Sequence, residues 1–406
     1  MTELPVGFKE YTRRLMGEKR FERYLQSFEV EPPVSIRLNP KKPAGELIDA
    51  EAVPWCRNGY YLKRRPNFTM DPLFHAGCYY VQEASSMFLD EVLRQMHTAY
   101  ISHQPSAIRP HTALDLCAAP GGKSTLLRAA LPADCILYSN EPIRQRASIL
   151  AENVEKWGYE NHLVTNCYPR DYREAKMKFD LIICDVPCSG EGMFRKDEAT
   201  IREWSPQNVE KCWQLQREIV SDAWECLNEG GFLIYSTCTF NTKENEENIR
   251  WILETFDAEV LPVNINPEWG ITGSLLEGFT EPVYRFIPGI SRGEGLFVCV
   301  LRKNEITARH ERDYGSSRVR LRLVEGEITA RQAGQLPQAE LSYQDALKFL
   351  RGEALQLPSG TPTGPIAVTF MGKILGQVKN IGTRANNLYP KPWRIKTTHI
   401  ANEYEP

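Results

Sequence analysis

Between residues 106 and 303 the chain alternates short apolar runs with helical patterns, and this alternation restricts the fold more than any other feature of the sequence. Strands that alternate with helices run parallel, because each helix returns the chain to the starting edge, and the helices then cover both faces of the sheet. The candidate strands are Ala113 to Cys117, Cys135 to Asn140, His162 to Asn166, Phe179 to Asp185 and Gly231 to Cys238. Between them lie candidate helices Ser124 to Ala130, Ile143 to Trp157 and Gln207 to Asn228, the last closed by the Gly230-Gly231 pair, since glycine suits a left-handed helix end. A helix near Glu244 to Thr255 precedes two apolar runs, Val283 to Ile287 and Gly295 to Leu301, which read as a final antiparallel pair. The expected fold class is α/β, with a seven-stranded, doubly wound, Rossmann-like domain over residues 106–303.

Residues 1–105 carry helical patterns at both ends around the extended pieces PPVSIRLNP and GYYLKRRPNF, and read as an N-terminal α+β accessory RNA-binding domain. Residues 304–340 are polar and short of aromatics, the composition of a linker. Residues 341–406 regain apolar content, a helical SYQDALKFLRGEAL followed by strand-like TGPIAVTFMGKILGQVKNIG, and form a small C-terminal domain. From Thr361 to Ile400 this end holds Lys373, Lys379, Arg384, Lys391, Arg394 and Lys396 and no Asp or Glu. Interleaved with Phe370, Tyr389 and Trp393, these cations suit phosphate contacts and base stacking, as in RNA binding; the plainer alternative is a solvated face.

Bulk properties exclude several classes. Apolar residues make up 42% and charged residues 25% of the chain, and no apolar run approaches the roughly 18 residues of a membrane span. The first residues alternate charge with apolar side chains and lack a secretory pattern, so a soluble, cytoplasmic protein is expected; a monomer is the default expectation. Eleven cysteines, with no CxxC pair and no Cys-His cluster, argue against a disulfide framework and against zinc. The net charge of −3 argues against a tail-type polyanion binder and leaves room for a local basic face.

Three places in the α/β region carry chemistry. ALDLCAAPGGKSTLL runs from strand through a glycine pair into a helix start, where bare glycines let backbone approach a ligand and helix amides face a polar group. Glu141 follows at the tip of the next strand, about twenty residues after Gly121, where a carboxylate accepts hydrogen bonds from ribose hydroxyls. Together they point to an adenosine-containing ligand. The strand Phe179 to Asp185 runs into DVPCSGEGMFRKD and the strand Gly231 to Tyr235 into STCTFNTKENEEN, so Asp185, Cys188 and Cys238 converge at one carboxyl edge. The alternative for each cysteine is a buried strand cap. Cytosine carbon-5 is too poor a nucleophile to accept a methyl group until a thiolate has added at carbon-6, and cysteine both adds and leaves readily. A carboxyl such as Asp185 can hold the polar edge of the base, and a second thiol can assist release. Chemistry alone leaves open which thiol attacks.

These residues resemble the Sun/Fmu-type RNA cytosine-5 methyltransferases, and within them the bacterial ribosomal RNA subgroup. DLCAAPGGKSTLL looks like that family's first cofactor motif, SNEP its second, DVPCSGEGMFRKD its fourth and YSTCTFNTKENEENI its sixth, with HAGCYYVQEASSM leading into the domain. The resemblance covers most of residues 30 to 303 and implies a class I methyltransferase domain that uses S-adenosylmethionine. It implies Cys238 as nucleophile and Cys188 as the thiol assisting release; DNA cytosine methyltransferases attack with the PC cysteine instead, which would exchange the two. The cofactor residues it implies are Cys117, Ala118, Ala119, Pro120, Gly121, Gly122, Lys123, Glu141 and Asp185. Where the family often has an acid near the adenine, this chain reads VTNCYPRDY, with Cys167 and Tyr168 at the position. The basic tail is similar to the family's PUA-like RNA-binding module. The implied substrate is 16S ribosomal RNA; a tRNA substrate, or a ribosome-assembly factor with incidental methylation, are the competing readings.

Overall fold

The computed structural model describes residues 3–45, 49–101, 109–304, 319–324 and 334–397. At its centre β5 (Thr112–Asp115), β6 (Ile136–Asn140), β7 (His162–Thr165), β8 (Phe179–Asp185) and β9 (Leu227–Thr237) lie parallel in the order β9-β8-β5-β6-β7. Their side chains alternate between two cores. Ala113, Leu181, Ile183, Phe232 and Ile234 face one apolar cluster, while Leu114, Ile182, Cys184, Leu233 and Tyr235 face the other. A strand buried on both faces needs such near-continuous apolar sequence. Helices α5 (Gly122–Ala130), α6 (Arg144–Trp157), α7 (Pro169–Glu174), α8 (Glu198–Glu203), α9 (Pro206–Cys226) and α10 (Glu246–Thr255) complete the layers.

The sheet exceeds the expected seven strands by one. Beyond β9, β12 (Leu296–Lys303) runs antiparallel and pairs with both β11 (Tyr284–Phe286) and a further short strand, β10 (Ala258–Val260), giving eight in all. Three residues, AEV, give β10 no periodicity to read. The Gly230-Gly231 pair also departs from expectation. Helix α9 stops at Cys226, and residues 228–231 bulge out of β9, whose pairing with β8 jumps from Phe179↔Leu227 to Leu181↔Phe232. Gly230 takes φ +74° there, and a Cβ on Gly231 would stand 2.8 Å from the Asn228 carbonyl oxygen.

The N-terminal part opens with α1 (Val6–Met16) and α2 (Glu18–Gln26), then forms an antiparallel sheet of β1 (Val34–Leu38), β2 (Ala50–Ala52), β3 (Gly59–Leu62) and β4 (Tyr79–Val81) in the order β2-β3-β1-β4, with α3 (Pro72–His75) before β4. Helix α4 (Phe88–Ile101) leads into the central sheet. The C-terminal part is a sheet of β13 (Gln338–Glu340), β14 (Gly364–Phe370), β15 (Lys373–Asn380) and β16 (Ala385–Asn387) with α11 (Tyr343–Leu350). Strand β13 lies inside the stretch expected to be linker, and residues 322–324 line the open edge of β7, where Val324 N–H donates to Val164 O at 2.8 Å. The N- and C-terminal parts share one apolar cluster, joining Ile36, Leu73 and Tyr79 to Phe349, Leu350 and Leu375. Phe370 and Tyr389, expected to stack on bases, are 6% and 3% exposed and belong to that cluster. Among the described residues no helix is long and apolar enough to cross a membrane.

Candidate active site

The first motif builds its turn by committing its carbonyls to the protein. Arg146 donates to Ala119 O at 3.1 Å, Asn153 to Pro120 O at 2.8 Å, and Thr125 N–H to Gly121 O at 2.9 Å. Gly121 adopts φ +116°, and a Cβ there would meet Leu150 at 3.1 Å, so the position requires glycine. No side chain caps the start of α5, whose first amides have no partner within the helix. Ala118 N–H donates to Asn140 O at 2.8 Å, and the buried Asn140 side chain donates to Leu116 O and Cys167 O, tying three strand ends together. Cys117 is half-buried, and burial pushes its thiol up.

Glu141 stands at the tip of β6 and is 2% exposed. Its Oε1 accepts from Ile143 N–H at 2.9 Å and its Oε2 lies 3.3 Å from Arg146. Asp115, which the motif reading passed over, is fully buried at the end of β5; Ser124 donates to its Oδ2 at 2.6 Å, and Oδ1 has no partner. Burial, opposed by the Ser124 hydrogen bond and reinforced by Asp185, pushes its carboxyl up to about 7. A buried acceptor without a donor is where a ligand ammonium or hydroxyl can bind. Cys167 is 2% exposed, with Arg322 N–H donating to its sulfur at 3.2 Å, whereas Tyr168 is 51% exposed. Of those two, only Tyr168 has surface to offer a ligand.

The second centre is the thiol pair. Cys188 follows β8 by three residues and Cys238 follows β9 by one; their sulfurs are 3.3 Å apart, and Cys238 N–H points at Cys188 Sγ at 3.4 Å. The hydrogen bond shared with Cys238, in which either sulfur can donate, and burial together push the Cys188 thiol up. Asp185 accepts from Ser236 Oγ at 2.6 Å and from Lys123 Nζ at 2.8 Å. Burial works against the Lys123 charge, and Asp185 outweighs it, so the ammonium is held protonated. Lys123 thus bridges the glycine turn to the thiol edge, and the residues expected at the site, Cys117 to Lys123, Glu141, Asp185, Cys188 and Cys238, line one rim of the sheet.

Three further contributors escaped the sequence. Gly192 N–H donates to Cys238 O at 2.7 Å, and a Cβ on Gly192 would stand 2.6 Å from that oxygen and from the Gly295 Cα. The buried ion pair of Arg285 with Glu246 supports the loop after Cys238, Arg285 also donating to Phe240 O at 2.9 Å. From β1, Arg37 reaches the cofactor turn, donating to Thr125 Oγ1 at 2.6 Å and to Gly122 O at 3.2 Å over the Trp157 ring, with burial pulling its guanidinium down to about 10. Nothing in one sequence marks partners about 40 to 100 residues away.

Comparison with known proteins places this arrangement. The family model described as 16S rRNA methyltransferase RsmB/F matches residues 107–302; that for the N-terminal domain of 16S rRNA methyltransferase RsmF matches 4–84, and that for the methyltransferase RsmF PUA domain matches 337–395. The ribosomal RNA small subunit methyltransferase F of Cronobacter sakazakii is 34% identical over 66% of this chain and 56% of its own. That of Escherichia coli O17:K52:H18 is 33% identical over 82% of this chain and 69% of its own, so the chain spans between about half and two-thirds of these relatives. Among solved structures, a methyltransferase homologue from Pyrococcus horikoshii superposes with a TM-score of 0.60 at 27% identity, covering 72% of this chain and 93% of that one. NSun6 from the same organism, solved with SFG, gives 0.59 at 19% identity over 74% and 99%, a likeness of fold.

Proposed function

Because the chain belongs to the RsmB/F family of 16S rRNA methyltransferases, we propose that it moves a methyl group from S-adenosylmethionine to carbon-5 of a cytosine in small-subunit ribosomal RNA, as a cytoplasmic monomer. The observation that carries this reading is the approach of two thiols to 3.3 Å beside the Lys123–Asp185 pair, at the rim that also bears the glycine turn. S-adenosylmethionine supplies an electrophilic methyl group on a sulfonium. The turn from Cys117 to Lys123, the Glu141 carboxylate and the unpartnered oxygen of Asp115 fit its amide-facing, hydroxyl and ammonium groups.

Cys238 is the nucleophile in this reading. As thiolate it adds to cytosine carbon-6, which places electron density on carbon-5 and lets that carbon take the methyl group. Asp185, with Lys123 neutralising it, accepts from the amino edge of the base and holds it over Cys238. After transfer, the carbon-5 proton departs to water, the C6–S electron pair returns to the Cys238 sulfur as that sulfur takes the proton of Cys188, and the proton passes back to Cys188 once the product has left, restoring the Cys238 thiolate. The C-terminal part adds RNA contacts through Lys379, Arg384, Lys391 and Lys396, which are exposed; Arg394 is instead spent on its own domain, donating to Tyr389 O.

The test uses a 16S RNA transcript and labelled cofactor. Cys238→Ala abolishes transfer and leaves cofactor binding near normal. Cys188→Ala permits addition and transfer but blocks elimination, so RNA and protein stay joined as a slow band on a denaturing gel, absent from the double variant. Ordinary turnover by Cys188→Ala with no adduct removes its release role. An active Cys238→Ala beside an inactive, adduct-free Cys188→Ala exchanges the two cysteines.

A further inference from the structure

The two reacting sulfurs are anchored by different means. Cys238 directly follows β9, whose last residues are locked between β8 and β12, and Thr237 Oγ1 donates to Asn245 at 2.6 Å. Cys188 lies out in a loop; its last sheet contact is Val186 N–H to Ser236 O at 3.1 Å. What fixes that loop is a pair of side chains with no exposed surface, Gln216 on α9 and Glu244. Gln216 Nε2 donates to Pro187 O at 2.9 Å, on one side of Cys188. On the other side, Ser189 N–H and Oγ donate to the two Glu244 oxygens at 3.0 and 2.5 Å. The two clamps are joined, since Gln216 Nε2 also donates to Glu244 at 2.7 Å. Asn241 Nδ2 completes the Glu244 cage at 2.7 Å, so this buried carboxylate is held by neutral donors alone. Burial pushes this carboxyl up while the Ser189 and Asn241 hydrogen bonds hold it down, and each donor to the carboxylate is charge-assisted, which stiffens the cage.

We propose that Glu244 and Gln216 are positioning residues for product release: they hold the Pro187–Ser189 peptide so that Cys188 stays against the Cys238 sulfur. This rests on the covalent mechanism above. In the step they serve, carbon-5 loses its proton to water, the C5–C6 double bond re-forms, the C6–S bond breaks and the Cys188 proton passes to the Cys238 sulfur. Addition and methyl transfer depend on Cys238, which follows β9 directly and, among the described residues, makes no hydrogen bond to Gln216 or Glu244. Loosening the clamp therefore slows only the second half of the reaction.

Glu244→Gln puts an amide donor among donors, and Gln216→Met removes both clamps of that side chain. In the full-length enzyme with a 16S RNA transcript and labelled S-adenosylmethionine, each keeps its first turnover within about threefold of the parent while steady-state turnover falls at least about tenfold. RNA-protein adduct accumulates in both, and disappears when Cys238→Ala is added. Ser189→Ala, which deletes one hydrogen bond, shows the same split to a smaller degree and serves if the stronger variants do not fold. A purely packing role lowers first-turnover and steady-state rates together without adduct; that result, or unchanged rates in all three variants, overturns the proposal. A parent enzyme that forms no Cys238-dependent adduct when Cys188 is removed fails the mechanism itself, a separate outcome.

Discussion

Replacing Arg285 with methionine isolates what one buried charge pair does for this site. Arg285 and Glu246 are 1% and 0% exposed; Nε donates to Oε1 at 2.9 Å and Nη2 donates to Oε2, a two-pronged contact. The third nitrogen donates to Phe240 O, two residues beyond Cys238, and the guanidinium lies 5.0 Å over the Phe297 ring. Methionine keeps much of the volume over Phe297 but leaves the buried Glu246 carboxyl without its cationic partner, with Leu275 N–H at 2.9 Å as its remaining cross-loop donor. Breaking one side of such a pair costs about 3–5 kcal/mol, and the orphaned Phe240 carbonyl adds about 1 kcal/mol. In urea, followed by tryptophan fluorescence, the midpoint of the transition that reports the central sheet falls by about 1–2 M. The double variant Arg285→Met, Glu246→Leu recovers most of the loss, because an apolar pair has no desolvation to offset. A single variant that loses under about 1 kcal/mol, or a double variant as unstable as the single, refutes the reasoning.

Glu141→Ala weakens S-adenosylmethionine binding by about 1–3 kcal/mol, the range for losing charge-assisted hydrogen bonds, and calorimetry showing unchanged affinity takes Glu141 out of the site. For Asp115 the folded carboxyl titrates at about 7, above its unfolded value, so the native state binds the extra proton. Its stabilising contribution is complete below the unfolded value and is lost as pH rises through about 7, at most about 4 kcal/mol. Asp115→Asn does not titrate, so its melting temperature relative to the parent climbs between pH 4 and 7.5; a flat difference contradicts the assignment. Gly192→Ala places a methyl 2.6 Å from both Cys238 O and Gly295 Cα; backbone cannot yield cheaply, and activity falls with stability, read by thermal melt and turnover. Parent-like values for both would mean the loop moves more freely than its contacts imply.

The central sheet was readable because strands buried on both faces must be apolar along their whole length, and Phe179–Asp185 could hardly be anything else. The placing of Cys188 and Cys238 together followed from a rule of topology, that carboxyl edges of adjacent parallel strands share a cleft. What stayed hidden depends on contacts far apart in sequence. Tyr389 and Phe370 looked like stacking platforms among cations, yet their environment is set by Phe349, by Tyr343 and by the N-terminal sheet, none of which is close in sequence. Gln216 reads as one polar residue in an amphipathic helix, and only the fold turns it toward Pro187. Strand β10 is too short to carry a period, and the diglycine that resembled a helix end serves as a bulge because both uses demand the same backbone freedom.

The apolar cluster shared by the first sheet and the last has a consequence for synthesis. Ile36, Leu73 and Tyr79 leave the ribosome early, while Phe349 and Leu375, which cover them, are made some 300 residues later. At 5–20 residues per second that is about 15–60 s during which the first domain exists with its outer face uncovered. The nascent chain thus presents a sticky, half-built surface for longer than most small domains need to fold. Chaperone demand during translation should therefore track the delay before residue 339 onward is made, and slowing the ribosome between the central sheet and β13 should lower the yield of native protein without altering a single contact in it.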